Sequence, residues 1–392
     1  MKKLLLGAVS AMALLTAGSA FAAGNDATVD QIGNSGSATV DQTNSSGDGV
    51  VTITQGTGTG VNDFYNTASA TQGGSGNEAT ITQSQGTFGV ATNPSNTSNS
   101  DQEGANGVID VLQVGNSGSG ILQQSGSSAE HAYVSQQGNG DASTIIQAGV
   151  QELAVVNQEG GVSNNGSISQ SGTGNGVYTP VAADEVGPNG NGYLSRGENL
   201  PSDTLLATLF SGNTDFGPVG AVVDQIGSDN IGGITQGGYQ NFAAVSQQGD
   251  SNFGVTTQNG GVYYSVADMY QAGNSNVASL AQTGSGANYS VAYQNGNDNQ
   301  AYATQTGAGN DVSNIYQGFQ PVDGYTLGEP YLAQTATDSN DFADVTQGNS
   351  GETSTVNQTG NSNQAWVNQS AQANATSNVI QSGSSNWAVV KQ

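Results

Sequence analysis

The chain alternates apolar and polar residues over short runs, and a glutamine closes each run. The pattern is clearest over residues 224–258, where four glutamines follow one another every eleven residues, with Gly two residues and Asn five residues after each of the first three. In one of these runs Ala243 and Val245 share one parity with Gln247. Alternation over seven residues favours a β-strand, and Gly beside polar residues favours a turn. Each phrase, Gln-x-Gly-x-x-Asn-x-Ala-x-Val-x-Gln, therefore predicts one strand and one corner.

Stacking of the phrases would bury their apolar side. A single strand cannot bury its Ala and Val residues, whereas stacked copies can, as in a solenoid. Asn and Gln at fixed positions would then lie above their own kind, and their amides would form hydrogen-bonded ladders along the stack. We expect an all-β fold, a β-solenoid of stacked strand-turn-strand repeats with two phrases per coil and one irregular insertion.

The residues expected in the ladders recur at the same two positions of the phrase. They are Gln31, Gln225, Asn230, Gln236, Asn241, Gln247, Asn252, Gln258, Gln271, Asn276, Gln282, Gln294, Asn299, Gln305, Gln358, Asn363, Gln369, Gln381, Asn386 and Gln392. The expected turn glycines are Gly33, Gly227, Gly238, Gly249, Gly273, Gly284, Gly360 and Gly383. Because the glutamines share the parity of the small apolar residues, we expect their side chains to point inward, with amides paired between coils.

The closing glutamines divide the chain into two blocks. Residues 23–170 hold twelve of them and residues 222–392 hold fifteen, Gln334 included, which predicts about thirteen coils in a stack on the order of 65 Å long. In the first block the Asn position is looser and is taken by Gly, Asp or Glu, so we expect some carboxylates at strand starts. These residues are Gly36, Gly107, Glu130, Asp141 and Glu152.

Residues 171–221 carry no phrase and are interpreted as an irregular surface insertion; a docking loop or lateral contact is the alternative. All seven prolines lie outside the clean phrases. Proline cannot donate a ladder hydrogen bond, so its position supports the strand prediction. Because twelve phrases precede the insertion, it should fall between whole coils, and its removal should leave the solenoid and its assembly largely intact.

Residues 1–22 are typical of a secretory signal peptide. Lys2 and Lys3 precede an apolar run, and Ala20-Phe21-Ala22 supplies a small-x-small cleavage site. A membrane anchor is the alternative, but the apolar run is short for a bilayer span. We therefore expect the protein to be exported through the periplasm and secreted.

Composition argues against several classes of function. After the signal peptide only Arg196 and Lys391 are cationic, against 30 Asp and Glu, so nucleic acid is not expected as a partner. The chain has no Cys and a single histidine, His131, which is interpreted as an exposed polar residue; zinc and Ser-His-Asp sites are therefore not expected. The acidic residues are scattered, so we expect no catalytic residue, metal or cofactor. Weak calcium binding by the acidic surface and a carbohydrate-cleaving β-helix stay open as alternatives.

Aromatic residues are sparse, and several alternate with the inward positions. Tyr289, Tyr293, Tyr302, Trp366 and Trp387 share this property. An external contact stripe, between fibrils or with a surface, and ordinary strand propensity are equally consistent with the pattern.

The phrase resembles the curlin repeat, the unit of curli amyloid subunits of Gram-negative bacteria. The residues that carry the resemblance include Gln271-x-Gly273-x-x-Asn276-x-Ala278-x-Leu280-x-Gln282 and Gln358-x-Gly360-x-x-Asn363-x-Ala365-x-Val367-x-Gln369, and such phrases cover most of the mature chain. This chain departs from the family in having many more repeats and no obvious leader after the signal peptide.

The resemblance implies a structural role. The expected function is that of a subunit of secreted, curli-like functional amyloid fibres at the cell surface, which serve adhesion and the biofilm matrix. Its main partner would be a second copy of itself, with a nucleator subunit, an outer-membrane secretion channel and periplasmic chaperones as further partners. A non-polymerising β-solenoid cell-surface adhesin is the alternative. The last phrase ends at Gln392 without a polar cap, which we expect of a subunit that another copy caps.

Overall fold

The computed structural model describes residues 24–31, 36–56, 66–84, 95–115, 117–125, 130–173, 175, 220–259, 265–307, 310–321, 332–334 and 338–392. Within these ranges the protein is all-β and contains no helix. Its strands form two stacked parallel sheets with 26 parallel strands, and a two-stranded antiparallel sheet lies beside them. The predicted all-β, solenoid-like fold class is confirmed.

Sheet 1 contains thirteen strands that follow one another along the stack, and one short strand at its side. The thirteen are β1 (Asp26–Gln31), β3 (Val50–Gln55), β5 (Glu78–Ser84), β7 (Val108–Val114), β9 (His131–Asn139), β11 (Leu153–Val162), β13 (Ala221–Ile226), β15 (Phe242–Gln248), β17 (Val266–Ala272), β19 (Tyr289–Asn297), β21 (Val312–Gln317), β26 (Thr353–Asn361) and β28 (Thr376–Ser384). The short strand β24 (Asp338–Ser339) pairs with the ends of β19 and β26.

Sheet 2 contains the strands that alternate with these along the chain. They are β2 (Ser37–Gly47), β4 (Thr67–Ser75), β6 (Thr97–Gln102), β8 (Ser119–Gln124), β10 (Ala142–Val150), β12 (Asn165–Thr173), β14 (Ile231–Tyr239), β16 (Phe253–Gln258), β18 (Val277–Gln282), β20 (Gln300–Gln305), β25 (Phe342–Gln347), β27 (Gln364–Gln369) and β29 (Trp387–Lys391).

A coil consists of one strand of sheet 1 and the next strand of sheet 2. Coils 1 to 10 are the successive pairs from β1–β2 to β19–β20, coil 11 is β21–β25, coil 12 is β26–β27 and coil 13 is β28–β29. Equivalent positions of the phrase pair between coils, as Ala221 with Ala243 and Gln225 with Gln247 show. This register places every residue of the phrase above its counterpart one coil away.

The core is a narrow row of small apolar side chains between the two sheets. Ala243, Val245, Ala278 and Leu280 are completely buried and typify it. The core continues from Ala38 in coil 1 to Val379 in coil 13. None of the 26 parallel strands contains a proline, which agrees with the need of a paired strand for every backbone N–H.

The two blocks form one continuous stack across residues 171–221. Strand β12 of the first block pairs with β14 of the second, and β11 pairs with β13. Strand β12 itself runs on to Thr173, and β13 begins at Ala221. Residues 176–219, with Arg196, lie outside the described residues, as does the predicted signal peptide. No helix of the described chain is long and apolar enough to cross a membrane.

Gln334 is not a member of the stack, and the prediction that it closes a strand of the solenoid is wrong. It belongs to β23 (Leu332–Gln334), which pairs antiparallel with β22 (Phe319–Pro321) outside the two main sheets. Pro321 lies in this small sheet, where the edge-strand geometry tolerates the missing donor. The chain thus leaves the stack after β21 and returns with β25, so fourteen glutamines of the second block close parallel strands.

Candidate functional site

The closing glutamines of sheet 1 form an uninterrupted ladder of side-chain hydrogen bonds. Each Nε2 donates to the Oε1 of the glutamine in the next coil, at 2.6–2.9 Å. The ladder runs through Gln31, Gln55, Gln83, Gln113, Gln136, Gln158, Gln225, Gln247, Gln271, Gln294, Gln317, Gln358 and Gln381.

Sheet 2 carries a second ladder of the same kind, with Nε2···Oε1 distances of 2.8–3.2 Å. Its members are Gln42, Gln72, Gln102, Gln124, Gln147, Gln170, Gln236, Gln258, Gln282, Gln305, Gln347, Gln369 and Gln392. The structure thus places every predicted ladder glutamine in one of two ladders, and those between the end coils are buried.

The second amide proton of most ladder glutamines ties the two sheets together. Gln247 of sheet 1 donates to the carbonyl of Ile231 at 3.0 Å, and Gln258 of sheet 2 donates to the carbonyl of Phe242 at 3.0 Å. Both receiving carbonyls lie at the first residue of a strand in the opposite sheet. A primary amide has two donors and one acceptor oxygen, and this site uses all three. A carboxylate or a hydrocarbon of similar length would leave buried backbone and amide groups unpaired.

Both glutamine ladders have a direction. In all 24 bonds the lower-numbered glutamine donates and the higher-numbered one accepts. The two ends of the stack are therefore chemically different: coil 1 begins each ladder with an acceptor oxygen, and coil 13 ends it with an amide donor.

Asparagine at the start of a strand forms the corner ladder. The Oδ1 of Asn252 accepts the backbone N–H of Asn276 at 3.1 Å, and its Nδ2 donates to the carbonyl of Gly273 at 2.8 Å. Asn230, Asn276 and Asn363 use their side chains in the same way. The corner amide therefore joins the strand start and the preceding turn of the next coil.

Asn175 is a corner residue that the sequence analysis missed. Its side chain is buried, and its Oδ1 accepts the backbone N–H of Asn241 at 3.1 Å. It occupies the corner of coil 7, although residues 176–219 separate it from β13 in the chain. The repeat pattern did not identify it, because no alternating strand sequence follows it directly in the chain.

The turns combine a glycine with a second left-handed residue. Gly227 has φ 112°, and a Cβ there would lie 2.1 Å from the carbonyl oxygen of Gly249 in the next coil. Asp229, immediately before the corner Asn230, has φ 57°. Asp and Asn tolerate this region better than other side chains, but Ser or Gln occupies it before eight other corners, as Ser251 and Gln240 do. Sequence reasoning found the glycine and missed its neighbour.

Most predicted turn glycines adopt positive φ: Gly227, Gly238, Gly249, Gly273, Gly360 and Gly383. Gly284 is required by space, since a Cβ there would lie 1.7 Å from the carbonyl oxygen of Gly307. Gly33 lies outside the described residues.

The five aromatic residues named from the sequence form two groups on opposite sheets. The alternative in which all five form one external contact stripe is therefore wrong. Tyr289 and Tyr293 lie on β19 of sheet 1, where Tyr293 is only 1% exposed and its hydroxyl donates to Asp268. Tyr302 lies on the other sheet, because consecutive strands alternate between sheets.

The outer group on sheet 2 is a continuous row, which we name the aromatic row. It consists of Tyr302, Phe342, Trp366 and Trp387 on four successive coils, with ring centroids 5.8, 5.2 and 6.1 Å apart. Trp387 is 71% exposed. Edge-to-face and tilted contacts of this kind add to strand pairing, and they leave an accessible aromatic surface at one end of the stack.

No group of three or more His, Cys, Asp or Glu side chains in the described ranges is arranged to hold a metal ion. His131 lies at an outward position of β9 and is half-buried rather than exposed, and burial lowers its pKa. Most buried acidic residues lie in the corners, where Asp141, Glu152, Asp311, Asp341 and Glu352 are at most 1% exposed; Asp224, within β13, is also buried.

No family model and no curated protein matches this chain. The geometry of the ladders therefore carries the functional argument.

Proposed function

We propose that this chain is the structural subunit of a secreted, curli-like amyloid fibre that serves adhesion and the biofilm matrix. The observation that carries the proposal is the pair of directional glutamine ladders, which run through all thirteen coils and, among the described residues, leave acceptors unmet in coil 1 and donors unmet in coil 13. Ladders of stacked identical amides over a parallel sheet are the interactions that stabilise cross-β fibres.

The unmet groups of the two ends are complementary. Gln381 and Gln392 each donate one amide proton to a backbone carbonyl, and no other described residue accepts the second. The Oε1 atoms of Gln31 and Gln42 accept no hydrogen bond from the described chain. Docking of coil 13 on coil 1 of another copy would join donor to acceptor in both ladders. A contact of this kind joins unlike surfaces and does not close, so it produces a filament.

Export across both membranes, and help from a nucleator subunit, an outer-membrane channel and periplasmic chaperones, belong to the same proposal. They rest on the resemblance of the phrase to the curlin repeat. Fibre diffraction of the purified mature protein tests the polymer directly. We expect a meridional reflection near 4.8 Å from fibres whose growth can be seeded.

A variant with glutamate at the last two ladder positions tests docking through coil 13. Gln381→Glu with Gln392→Glu keeps the oxygens that accept from Gln358 and Gln369 at 2.8 and 3.0 Å. It removes the amide protons that would reach the next copy, together with those donated to the carbonyls of Gln364 and Thr376. Asn378→Asp, which changes an outward, exposed side chain of the same strand β28, is the matched control.

Elongation of wild-type seeds should slow at least about tenfold with the double variant and remain unchanged with Asn378→Asp, since a hydrogen bond to a charged or orphaned group is worth about 1.5–3 kcal/mol. Circular dichroism must show that both variants keep the wild-type β content. Elongation of the folded double variant at the wild-type rate would contradict docking through coil 13.

A second candidate function is that of a non-polymerising cell-surface adhesin, and the aromatic row favours it. Exposed Trp and Tyr side chains dominate many binding surfaces. Trp366→Ala with Trp387→Ala should then abolish attachment of cells to a test surface. If the same variant attaches poorly only because it no longer forms fibres, the structural proposal stands.

A further inference from the structure

Carboxyl groups replace asparagine at six corners of the stack, in two groups that we name the acidic belts. The first belt is Glu130, Asp141 and Glu152, at the starts of β9, β10 and β11; the second is Asp311, Asp341 and Glu352, at the starts of β21, β25 and β26. None of the six is more than 3% exposed. Each belt spans two adjacent coils and stacks two carboxyls directly in sheet 1.

A charged carboxylate can make only half of the bonds of a corner asparagine. It accepts the N–H of the next coil, as Asp141 does from Asn164 at 3.0 Å and Asp311 does from Glu352 at 3.1 Å. It cannot donate to the turn carbonyl as Asn252 does. In keeping with this, Asp141 Oδ2, Glu152 Oε2, Asp311 Oδ2 and Glu352 Oε1 are buried and have no hydrogen-bond partner among the described residues. A protonated carboxyl has both a donor and an acceptor, as the amide does.

Among the described residues, no positive charge lies near either belt. The described chain holds a single Lys or Arg, Lys391, and it lies on β29 at the end of the stack. Among the described residues, the other titratable groups on the coils around the first belt are Glu103, Asp110, His131, Tyr133, Glu159, Asp224, Asp229 and Tyr239. Those around the second belt are Tyr289, Tyr293, Asp298, Tyr302, Tyr316 and Asp344. Burial lowers the pKa of His131, so this group remains neutral.

We infer that the acidic belts make closure of the solenoid dependent on protons: Asp141, Glu152 and Asp311 are protonated when the coils stack, and each then donates as a corner amide does. The chain therefore closes more readily in a mildly acidic medium than in an alkaline one. If the protein polymerises as proposed above, fibre growth should share this dependence; closure itself does not rest on that proposal.

The direction of the effect follows from the proton balance. Burial raises the pKa of Asp141 from 3.8 to about 6. Burial, followed by the charge of Glu130, raises the pKa of Glu152 from 4.5 to about 8. Burial first, and the charge of Glu352 as well, raises the pKa of Asp311. The folded chain thus holds protons that the unfolded chain releases, so stability is greatest below about pH 4 and falls as the pH rises to about 8.

The experiment measures the guanidinium unfolding midpoint of the mature chain by circular dichroism at intervals from pH 4.5 to 8.5. The belt variant carries Glu130→Gln, Asp141→Asn, Glu152→Gln, Asp311→Asn, Asp341→Asn and Glu352→Gln. The surface variant removes the same number of charges at exposed positions, with Asp26→Asn, Asp30→Asn, Asp48→Asn, Asp229→Asn, Asp250→Asn and Asp298→Asn. This control is needed because the whole sequence has a formal net charge of −26 and an isoelectric point near 4.1. As the pH falls toward that point, repulsion between the carboxylates weakens, and this alone stabilises the compact state.

For the wild type we expect the folded-to-unfolded ratio to fall more than about tenfold between pH 5 and pH 8. The surface variant should keep most of this dependence, and the belt variant should lose most of it and be the most stable of the three at pH 8. Glu152→Gln alone should remove the dependence that remains above pH 6, which provides a second measurement if the sixfold change prevents folding. A belt variant as pH-dependent as the wild type, or a surface variant that abolishes the dependence, would overturn the inference.

Discussion

Coils 7 to 10 and coils 1 to 6 have the same interior glutamines but different corners. In coils 7 to 10 the corners of sheet 2 are all asparagine, namely Asn230, Asn252, Asn276 and Asn299. In coils 1 to 6 the corners of the two sheets include glycine and the carboxyls of the first belt. The glutamine ladders cross both regions without a break.

The difference shows which amide the fold needs most. The glutamine side chain lies in the dry interior, where its two protons and the facing carbonyls have no alternative partner. The corner lies beside a turn, where glycine can tighten the backbone. A Cβ at Gly107 would lie 2.8 Å from Gln124 Oε1, so a side chain there would crowd the glutamine ladder. Variation therefore occurs at the corner, whereas the interior glutamine position is constant in all 26 strands.

Loss of one interior glutamine should lower the free energy of unfolding more than any other change considered, and by the same amount in both regions. Gln113→Ala and Gln247→Ala each remove three hydrogen bonds and leave the neighbouring glutamines partly unpaired. We expect each to lower the free energy of unfolding by about 3–5 kcal/mol, from orphaned buried polar groups and a cavity. Guanidinium denaturation measures both. A cost for Gln113→Ala below half that of Gln247→Ala would contradict the equivalence of the two regions.

A side chain added at a turn glycine should cause the second-largest loss of stability. Gly227→Ala places a Cβ at φ 112° and 2.1 Å from the Gly249 carbonyl oxygen, which should cost about 2–4 kcal/mol through strain and backbone displacement. Gly233→Ala, on the outer face of β14, meets only the Val255 side chain at 3.8 Å and should be neutral or slightly stabilising. Thermal unfolding of the two variants compares them, and equal melting temperatures would show that coil spacing adjusts freely.

Loss of a corner asparagine should cost more stability in coils 7 to 10 than in coils 1 to 6. Asn252→Ala breaks bonds to both neighbouring corners, Asn230 and Asn276, and to Gly273, and we expect it to cost about 2–3 kcal/mol. Asn96→Ala, whose next corner is Gly118, should cost about 1–2 kcal/mol. The reverse order in denaturant midpoints would indicate that the irregular corners depend more strongly on their few amides.

The smallest effects should come from buried hydroxyls without partners, and these should be favourable. Thr256 Oγ1 in coil 8 and Ser100 Oγ in coil 3 are buried and form no hydrogen bond with any described residue. Thr256→Val and Ser100→Ala should each raise stability by about 0.5–1 kcal/mol, because the desolvation cost of the hydroxyl disappears. A loss of stability in either variant, measured by calorimetry, would show that the hydroxyl has a partner in solution.

Several features were predictable from the residues alone because each phrase is a local signal. Alternation, a closing glutamine and a turn glycine identify strand, inward face and corner without knowledge of what lies above or below. The number of coils, the parallel stacking and the absence of proline from the strands follow from repetition of that signal. The structure confirms this fold class, while the biological role of the fold stays a proposal.

Other features were decided only by the tertiary structure. Asn175 completes the corner of a coil whose strand begins at Ala221, and Gln334 leaves the stack for a small antiparallel sheet. Gly232 and Gly254 occupy inward positions where Ala was expected, because a Cβ there would lie 2.7 Å from Val223 and 2.5 Å from the sulfur of Met269. These choices depend on the partner across the interior or in the next coil. A local pattern contains no information about the size and hydrogen-bonding needs of a neighbour that only the packed stack brings into contact.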